Sequence, residues 1–589
     1  MKSLRTLLPY FRPYRRGIAV GLALVLVGNV FTLLGPYLLK AAIDALEGDL
    51  SLEVIQRYAV LIVLTALLAG ICRYYMRELL NGISRRIETD LRNDLFNHLL
   101  QLPAQFYDSW RTGDLMSRAT NDVLAVRMVA GPAIMYAVNT ATVSALALAL
   151  MIWINPLLTL FAMIPLLVLP AAVFWFGRQI HDRFERIQSQ FAELSNFSQE
   201  YLSSIRIVKA YTQEEAQVDR FADLNDEYLQ RNMSLARVWG AFHPSLILLT
   251  GLGAVIVLGF GGRLVMAGEI SLGDFVAFGF YLTLLSWPMI ALGWVTNLFQ
   301  RGAASMSRIN KLMSVSPAIA DAPSPLTTGS VRGRIELKDV SFRYPGTDRW
   351  ILQDISLVIE PGHTAAIVGQ TGSGKSTLVR LLPRLYDATE GTVLFDGVDV
   401  RRLPLGVLRD SISVVPQEAF LFSMRLKRNV AFQAEDTDVD RLMKAIEIAH
   451  LTETLAVLPE GLDTHLGERG VNLSGGQKQR ATLARALYRD TPVLILDDSL
   501  SAVDSVTETA ILAELREYMR GRTSILISHR VSAVRDADII FVLEEGRLVE
   551  QGRHRELLEL NGVYKRLLER QLLSEAIERD EVLVGRSAS

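Results

Sequence analysis

Six apolar stretches in the first half of the chain constrain its fold more than any other feature. Each approaches the about 20 residues that a helix needs to cross a bilayer. Backbone polar groups inside lipid must be satisfied within a helix or a closed barrel, so runs of this length predict helices. The stretches are residues 18–39, 58–74, 134–154, 157–176, 246–265 and 275–298. We therefore expect a membrane α-helical bundle of six transmembrane helices.

Basic residues around these stretches predict the orientation of the chain. The N-terminus and the connections 76–131 and 178–240 carry most of the Arg and Lys, whereas the other connections carry few. Because such residues accumulate on the cytoplasmic side, we expect both termini and the second half of the chain to be cytoplasmic, in a multi-pass protein of the bacterial inner membrane. The first stretch exceeds the about 7 to 15 apolar residues of a signal peptide, so we interpret it as a span.

The two basic connections have helical patterns of their own. Apolar residues recur at helical spacing through both, which predicts spans that continue into the cytoplasm. A separate domain in each connection is the alternative, but neither shows a strand pattern. The second apolar stretch ends in Arg73 and Arg77, which suits a helix leaving the bilayer. Polar interruptions at 108–122 and 209–221 are either solvated tips or contact points with the rest of the chain, and the sequence alone favours neither.

The spans contain aromatic residues but no acidic pair or row of ionisable residues, which argues against an ion pathway. Trp287, Trp294 and Asn297 are candidates for the lining of an apolar cavity, and Asn297 needs a partner or water inside a span. The alternative is that they face lipid or pack between helices. A cavity of this kind suits a hydrophobic small molecule, a lipid or a peptide, so we expect broad hydrophobic selectivity.

Charge, cysteine content and a composition break bound the remaining possibilities. The net charge of −2 is spread along the 589 residues, which gives no case for a nucleic-acid partner. A single cysteine, Cys72, excludes an intrachain disulfide. Pro and Gly concentrate at 317–333, where we place a linker. The predicted domains are a membrane domain at 1–316, the linker at 317–333, a nucleotide domain at 334–573 and a tail at 574–589.

A glycine-rich motif predicts a nucleotide site in the second half. G-Q-T-G-S-G-K-S-T follows an apolar run at 364–368, and its helix should start near Lys375. In such a loop the backbone amides face phosphates, the lysine reaches the β- and γ-phosphates, and the hydroxyl of Ser376 is placed for Mg²⁺. Tyr344, in S-F-R-Y-P-G, could stack on adenine. The predicted ATP-binding residues are Tyr344, Gly369, Gln370, Thr371, Gly372, Ser373, Gly374, Lys375, Ser376 and Thr377.

Polar residues at the ends of three further strands predict the catalytic groups. The strand in L-I-L-D-D ends in Asp497, placed to hold Mg²⁺, and Asp498, placed to orient water. Gln417 follows the strand of V-V-P-Q and could reach both Mg²⁺ and that water. His529 ends the strand of I-L-I-S-H-R and suits a γ-phosphate sensor. The predicted metal ligands are thus Ser376, Gln417 and Asp497.

A second glycine-containing helix start lies at L-S-G-G-Q. Its residues are Leu473, Ser474, Gly475, Gly476 and Gln477. Two glycines at a helix start make another phosphate-facing edge. Because one domain does not need two such edges for one phosphate, we infer that the second serves a nucleotide held by another copy of the domain.

Together these motifs, behind six spans, resemble ATP-binding cassette (ABC) exporters of the six-plus-one half-transporter type over nearly the whole chain. The resemblance implies a type I ABC exporter fold, with six transmembrane helices joined to an α/β P-loop domain. It also implies ATP and Mg²⁺ as cofactors, and two domains sandwiching two ATP molecules. The interruptions 108–122 and 209–221 would then be the coupling helices. The expected activity is ATP-driven export by alternating access, with membrane lipid around the spans.

One position departs from the family pattern. The family's usual acid after the Mg²⁺-binding aspartate is glutamate, and here it is Asp498. Its side chain is one methylene shorter, and a misplacement of about 1 Å can cost on the order of 10²-fold in rate. The chain thereby resembles the weakened subunit of heterodimeric exporters, which predicts a second half-transporter as partner. A homodimer that uses Asp498 as its catalytic residue stays open, as does an ATP-gated channel or regulator of the same fold.

Overall fold

The chain divides into two compact units. A computed structural model describes residues 2–48, 52–326, 331–432, 437–528 and 534–573. One unit, here called the membrane unit, comprises Met1–Leu100 and Thr112–Val315. The other, the nucleotide unit, comprises Gln101–Arg111 and Ser316–Ser589. The short segment Gln101–Arg111 thus groups with the second half of the chain, although the predicted boundary at 316 assigned it to the membrane domain.

Six long helices make up most of the membrane unit, and each contains one predicted apolar stretch. They are α1 (Ser3–Leu46), α2 (Leu52–Gln101), α4 (Thr112–Ile154), α5 (Pro156–Ser203), α7 (Glu214–Met266) and α8 (Leu272–Met313). The prediction of six apolar helices is confirmed. At 42 to 53 residues, the helices continue well beyond the about 20 needed to cross a bilayer. The alternative of a separate domain in each connection is wrong, because the described residues of both are helical with short turns.

Short helices occur near both polar interruptions, but not over the ranges expected. The first is α3 (Ala104–Ser109), which lies between extended residues Pro103 and Trp110. Residues 112–122 instead form the first turns of α4. The second is α6 (Ile205–Ala210), and a tight turn with Thr212 at φ +53° connects it to α7. The polar residues that suggested loops therefore sit mostly on the solvated faces of helix ends.

Helices α1 and α2 pack antiparallel, and their register corrects the interpretation of Arg73. An added Cβ at Gly17 would lie 2.9 Å from Ile83 Cδ1, and one at Gly28 would lie 3.2 Å from Cys72 Cβ. Residue 73 of α2 is therefore level with the middle of the stretch 18–39. The expectation that Arg73 marks the exit of α2 from the bilayer is wrong, because α1, which packs beside it, is still apolar at that level.

The described residues of the nucleotide unit form two sheets. Strands β1 (Ile335–Phe342), β2 (Leu352–Ile359), β4 (Glu390–Phe395) and β5 (Val398–Asp399) form an antiparallel sheet in the order β2-β1-β4-β5. The larger sheet has the order β10-β9-β3-β8-β7-β6, and its strands are β3 (Thr364–Gly369), β6 (Ile412–Val415), β7 (Val493–Asp497), β8 (Thr523–Ile527), β9 (Ile539–Glu544) and β10 (Arg547–Gly552). The predicted α/β P-loop architecture is confirmed.

The larger sheet positions the site. Strands β6, β7, β8, β3 and β9 are mutually parallel, and only β10 is antiparallel to its neighbour. Nearly every residue of β3, β7 and β8 is buried, as expected for strands covered on both faces. Parallel strands end at the same edge, so the residues that follow β3, β6, β7 and β8 converge there.

Candidate functional site

The loop after β3 has a backbone that only glycine permits. Gly374 lies in the left-handed region at φ +98° and directly precedes the helix α9 (Lys375–Leu381). A Cβ there would lie 2.7 Å from Leu352 Cδ2 and 2.9 Å from the Ile351 carbonyl oxygen. A Cβ at Gly369 would overlap the carbonyl oxygen of Leu543. The loop is therefore held tightly, with its amides at the start of α9, as anion binding at a helix N-terminus requires.

Two polar groups at this loop, one buried ammonium and one buried hydroxyl, are placed to bind a phosphate. Lys375 is 6% exposed, and its Nζ donates to the carbonyl oxygens of Gly369 and Gln370 at 2.8 Å each. Burial lowers the pKa of this amine. Ser373 Oγ is buried and has no hydrogen-bond partner among the described residues. An ammonium group and an orphaned hydroxyl within a glycine loop fit an oxyanion, so the residues present suit ATP.

A hydroxyl and a carboxylate lie next to the loop. Ser376 Oγ donates to Asp497 Oδ1 at 3.0 Å. Asp497 is 6% exposed, and burial raises its pKa. Oxygen ligands of this kind suit Mg²⁺ bound together with phosphates. Gln417 is exposed two residues after β6, and Val415 pairs with Leu496 of β7, so Gln417 and Asp497 share one edge of the sheet.

Asp498 is fixed by its backbone. It is half-buried, adopts φ +46°, and its N–H donates to the carbonyl oxygen of Ile527 at 2.9 Å. The bond ties the residue that follows β7 to the end of β8. His529 lies outside the described residues, two positions beyond Ile527.

Tyr344 lies beside the first turn after the loop. Its hydroxyl is 3.1 Å from Thr377 Oγ1, and its ring packs edge-on against Phe342 and Tyr386, with centroids 4.9 and 5.4 Å away. Because two of its neighbours are aromatic, the ring is held in place at the margin of the site. This position suits the predicted stacking on adenine.

The L-S-G-G-Q motif begins helix α14 (Gly475–Arg489). Between α9 and α14 the chain forms the shorter helices α10 (Leu405–Asp410), α11 (Leu426–Val430), α12 (Val439–Ile448) and α13 (Thr452–Val457). Ser474 caps it: Ser474 Oγ accepts from the Gln477 N–H at 3.3 Å, and Gln477 Oε1 accepts from the Ser474 N–H at 2.9 Å. Leu473 is buried, whereas Ser474 and Gly475 are exposed. The capping box leaves further helix amides at the surface, free to face an anion.

Sequence reasoning missed Gln479, two residues after the motif. Its Nε2 donates to Ser501 Oγ at 3.0 Å, and its Oε1 accepts from the Ala502 N–H at 2.8 Å. The start of α14 is thereby tied to the turn that follows Asp498. A glutamine within a helix gives no sequence signal of such a contact.

A second unforeseen contact involves the segment Gln101–Arg111. Tyr386 donates from its hydroxyl to Asp108 Oδ2 at 2.5 Å, and burial together with this hydrogen bond raises the pKa of Tyr386. Ala104 packs on the core that contains Tyr386, and Phe106 is 6% exposed. Asp108 belongs to the predicted interval 108–122, but nothing in its sequence context points to a tyrosine 278 residues away.

Of the three residues predicted to line a cavity in the membrane unit, two lie at or next to a cavity and the third does not. Trp287 lines a cavity of about 300 Å³, and Trp294 packs edge-on against Tyr136, which lines the same cavity. Asn297 is exposed, lines no part of that cavity, and makes no side-chain hydrogen bond within the described residues. The cavity also contains Arg73 and Arg77, which were not predicted to belong to it.

Comparison with known proteins follows the same two-part division. A family model described as the ABC transporter transmembrane region matches residues 18–289, and a second, described as ABC transporter, matches residues 352–501. The probable multidrug resistance ABC transporter ATP-binding/permease protein YheI of Bacillus subtilis (strain 168) is 40% identical over 572 residues, covering 97% of each chain. The chain belongs to the ABC transporter family.

Other relatives of this ABC transporter are similar over equal lengths. The multidrug resistance-like ATP-binding protein MdlA of Escherichia coli (strain K12) is 35% identical over 97% of this chain and 96% of its own. An ATP-dependent lipid A-core flippase of Syntrophus aciditrophicus (strain SB) is 32% identical over 100% and 97%. The structure of a bacterial Atm1-family ABC exporter with ATP bound superposes with a TM-score of 0.77 and 28% identity, covering 95% of this chain and 99% of the other. These similarities confirm the predicted exporter fold and, at the level of the family, the prediction of ATP-driven export by an integral membrane protein.

Proposed function

We propose that the chain is one half of a dimeric exporter that carries hydrophobic or amphiphilic compounds out of a bacterial cell across the inner membrane. The nucleotide unit and both termini lie in the cytoplasm. The observation that carries this proposal is that one nucleotide unit has two phosphate-facing edges: the loop that ends at Lys375 and the capped helix start at Ser474. Each edge suits one side of a nucleotide, so two chains make two complete sites.

Closure of these sites supplies the energy for alternating access. Moving a two-state transporter from mostly inward-facing to mostly outward-facing takes a differential affinity of about 5.5 kcal/mol. Two nucleotides held by charge-assisted hydrogen bonds are sufficient to supply a difference in binding free energy of this size. Ser376, Gln417 and Asp497 would hold Mg²⁺, which when bound would supply neutralisation of charge on the phosphates. Asp498 would orient the attacking water, and His529 would contact the γ-phosphate.

The site built on this chain's own loop is slow, and the partner is a second half-transporter that carries glutamate. Asp498 is shorter than glutamate, and its backbone N–H is bonded to Ile527. Gln479 binds Ser501 and Ala502 in the turn that follows. The shorter carboxylate of Asp498 could reach the position of a glutamate carboxylate only if that turn shifted, and such a shift would break these hydrogen bonds. This restraint supports the heterodimer over a homodimer.

The two interruptions of the long helices transmit nucleotide binding to the spans. For the first, the contact between Asp108 and Tyr386 supports this role, since Tyr386 also packs on Tyr344 at the adenine end of the site. For the second, residues 209–221, exposed apolar side chains such as Tyr211 and Val218 support a role in docking.

Uptake of a hydrophobic dye into inside-out vesicles tests the proposal. We expect uptake that requires ATP, continues against a gradient of the dye, and is lost in Lys375→Ala. Lys444→Ala, which removes an exposed lysine of α12, is the matched control and should transport normally. Strictly downhill flux that is independent of ATP would support the gated channel instead.

A further inference from the structure

The cavity in the membrane unit combines an apolar wall with a cluster of donors. Residues of α1, α2, α4 and α8 line its volume of about 300 Å³. Trp287, Tyr136 and Met135 supply apolar surface, and Arg73 and Arg77 supply two guanidinium groups one helical turn apart. The volume is at the lower end of the range for small-molecule sites.

Both arginines lie at membrane depth. The α1–α2 register pairs Gly28 with Cys72 and Gly21 with Leu80. Arg73 is therefore roughly nine residues, or about 14 Å, from the Ile18 end of the first apolar stretch. Half the thickness of a hydrocarbon core is about 15 Å. Arg73 thus lies near the middle of the span, and Arg77 one turn nearer the cytoplasmic side.

Neither arginine has a carboxylate partner in the described part of the chain. Arg73 donates from Nη2 to Thr32 Oγ1 at 3.3 Å, a long bond to a neutral group. None of the described residues that line the cavity is acidic, and Glu78, adjacent to Arg77 in sequence, is not among them. Both side chains are exposed, and an unpaired guanidinium at this depth is too costly to face lipid. Their exposed ends must instead face a cavity that holds water or a counter-ion.

A further polar group at the same cavity also lacks a partner. Asn139 is half-buried, and its side-chain amide makes no hydrogen bond with any described residue. Asn29, by contrast, donates from Nδ2 to Thr142 Oγ1 at 2.7 Å and is satisfied. Among the described residues that line the cavity, the donors thus include two guanidinium groups without a carboxylate partner and the amide of Asn139, set against an aromatic wall.

We propose that this cavity binds amphiphilic anions as cargo, with the carboxylate, sulfonate or phosphate of the headgroup on Arg73 and Arg77 and the apolar part against Trp287. The proposal rests on the exporter function above and replaces the expectation of purely hydrophobic selectivity. Guanidinium groups pair with such anions through two parallel hydrogen bonds.

A fluorescent acid and its uncharged ester test the proposal. The probes are 11-(dansylamino)undecanoic acid and its methyl ester, which share one fluorophore and one tail, with the purified transporter in nanodiscs of zwitterionic lipid. We expect the wild type to bind the acid at least about 10-fold more tightly than the ester. This preference should disappear in the double variant Arg73→Ala, Arg77→Ala, and should remain in Arg73→Lys, Arg77→Lys.

Arg85→Ala is the control, because Arg85 is an exposed arginine of α2 that does not line the cavity. It should keep the preference. Equal binding of acid and ester by the wild type, or equal loss of both in the double alanine variant, would overturn the proposal. Binding of the acid without ATP-dependent accumulation in inside-out vesicles would also overturn it, since the anion would then be no cargo. ATP-driven uptake of the neutral ester alone would leave the exporter function standing while this inference fails.

Discussion

The two units hold their functional groups in opposite ways. In the nucleotide unit, Lys375 and Asp497 are each 6% exposed. Lys375 begins the helix after β3 and Asp497 is the last residue of β7, so backbone and core fix their positions. In the membrane unit, the cavity residues come from four helices, and Arg73, Arg77 and Trp287 are exposed. The first arrangement suits chemistry that tolerates little displacement. The second suits cargo of varied shape, which needs a lining that can adapt.

Removal of the buried Lys375 ammonium group should have the largest effect among the changes in the nucleotide unit. In the purified chain without a partner, where its own site is the one that turns over, Lys375→Ala should lower the slow ATP hydrolysis by about 10²- to 10³-fold, because a preorganised charge at the phosphates is removed. Phosphate release by this purified chain in lipid measures the effect. Lys444→Ala should match the wild type, and substantial hydrolysis by Lys375→Ala would mean that the loop does not hold the phosphates.

A single added methyl group should separate tight from open glycines of the nucleotide unit. Gly374→Ala forces a left-handed residue against Ile351 and Leu352, strain of order 1–3 kcal/mol, so ATP affinity should fall at least about 10-fold. Gly406→Ala is the matched change, because a Cβ there meets nothing within 4 Å. Titration with a fluorescent ATP analogue measures both. Equal affinities would show that the loop is not fixed as described.

The membrane unit offers the same contrast within one helix. At Gly302 of α8 an added Cβ would overlap Val129 of α4, whereas at Gly279 of the same helix nothing lies within 4 Å. Gly302→Ala should cost about 1–3 kcal/mol by overpacking and lower the apparent unfolding temperature in detergent. Gly279→Ala should leave it nearly unchanged. A similar response of the two variants would mean that α8 and α4 do not pack in this register.

The smallest expected effect concerns the segment Gln101–Arg111. Tyr386→Phe removes the hydrogen bond to Asp108, so cargo should stimulate ATP hydrolysis about two- to five-fold less, the equivalent of about 0.5–1 kcal/mol. Asp108→Asn keeps an acceptor and should retain most of the stimulation. Rates with and without cargo, measured for both variants, give the answer. Unaltered stimulation in Tyr386→Phe would show that this hydrogen bond does not couple cargo binding to ATP hydrolysis.

The same contrast explains what could be predicted from the sequence. The loop 369–377, Asp497 and the capped start of α14 follow from local spacing, because strand, loop and helix are consecutive in the chain. Gln479 and the Asp108–Tyr386 contact depend on residues far apart in sequence, and no local pattern encodes them. Arg73 looked like the end of a span because its depth is set by the packing of α2 on α1, which only the register reveals.

Turnover by the chain alone tests the central claim, that Asp498 makes this chain's own site slow. The purified chain in lipid should hydrolyse ATP slowly, and Asp498→Asn should change that rate little. Asp498→Glu should raise it by up to about 10²-fold, since the carboxylate regains about 1 Å of reach. If instead the chain forms a stable dimer with brisk, cargo-stimulated ATP hydrolysis that Asp498→Asn abolishes, then Asp498 is an ordinary catalytic residue and the account of a slow site in a heterodimer is contradicted.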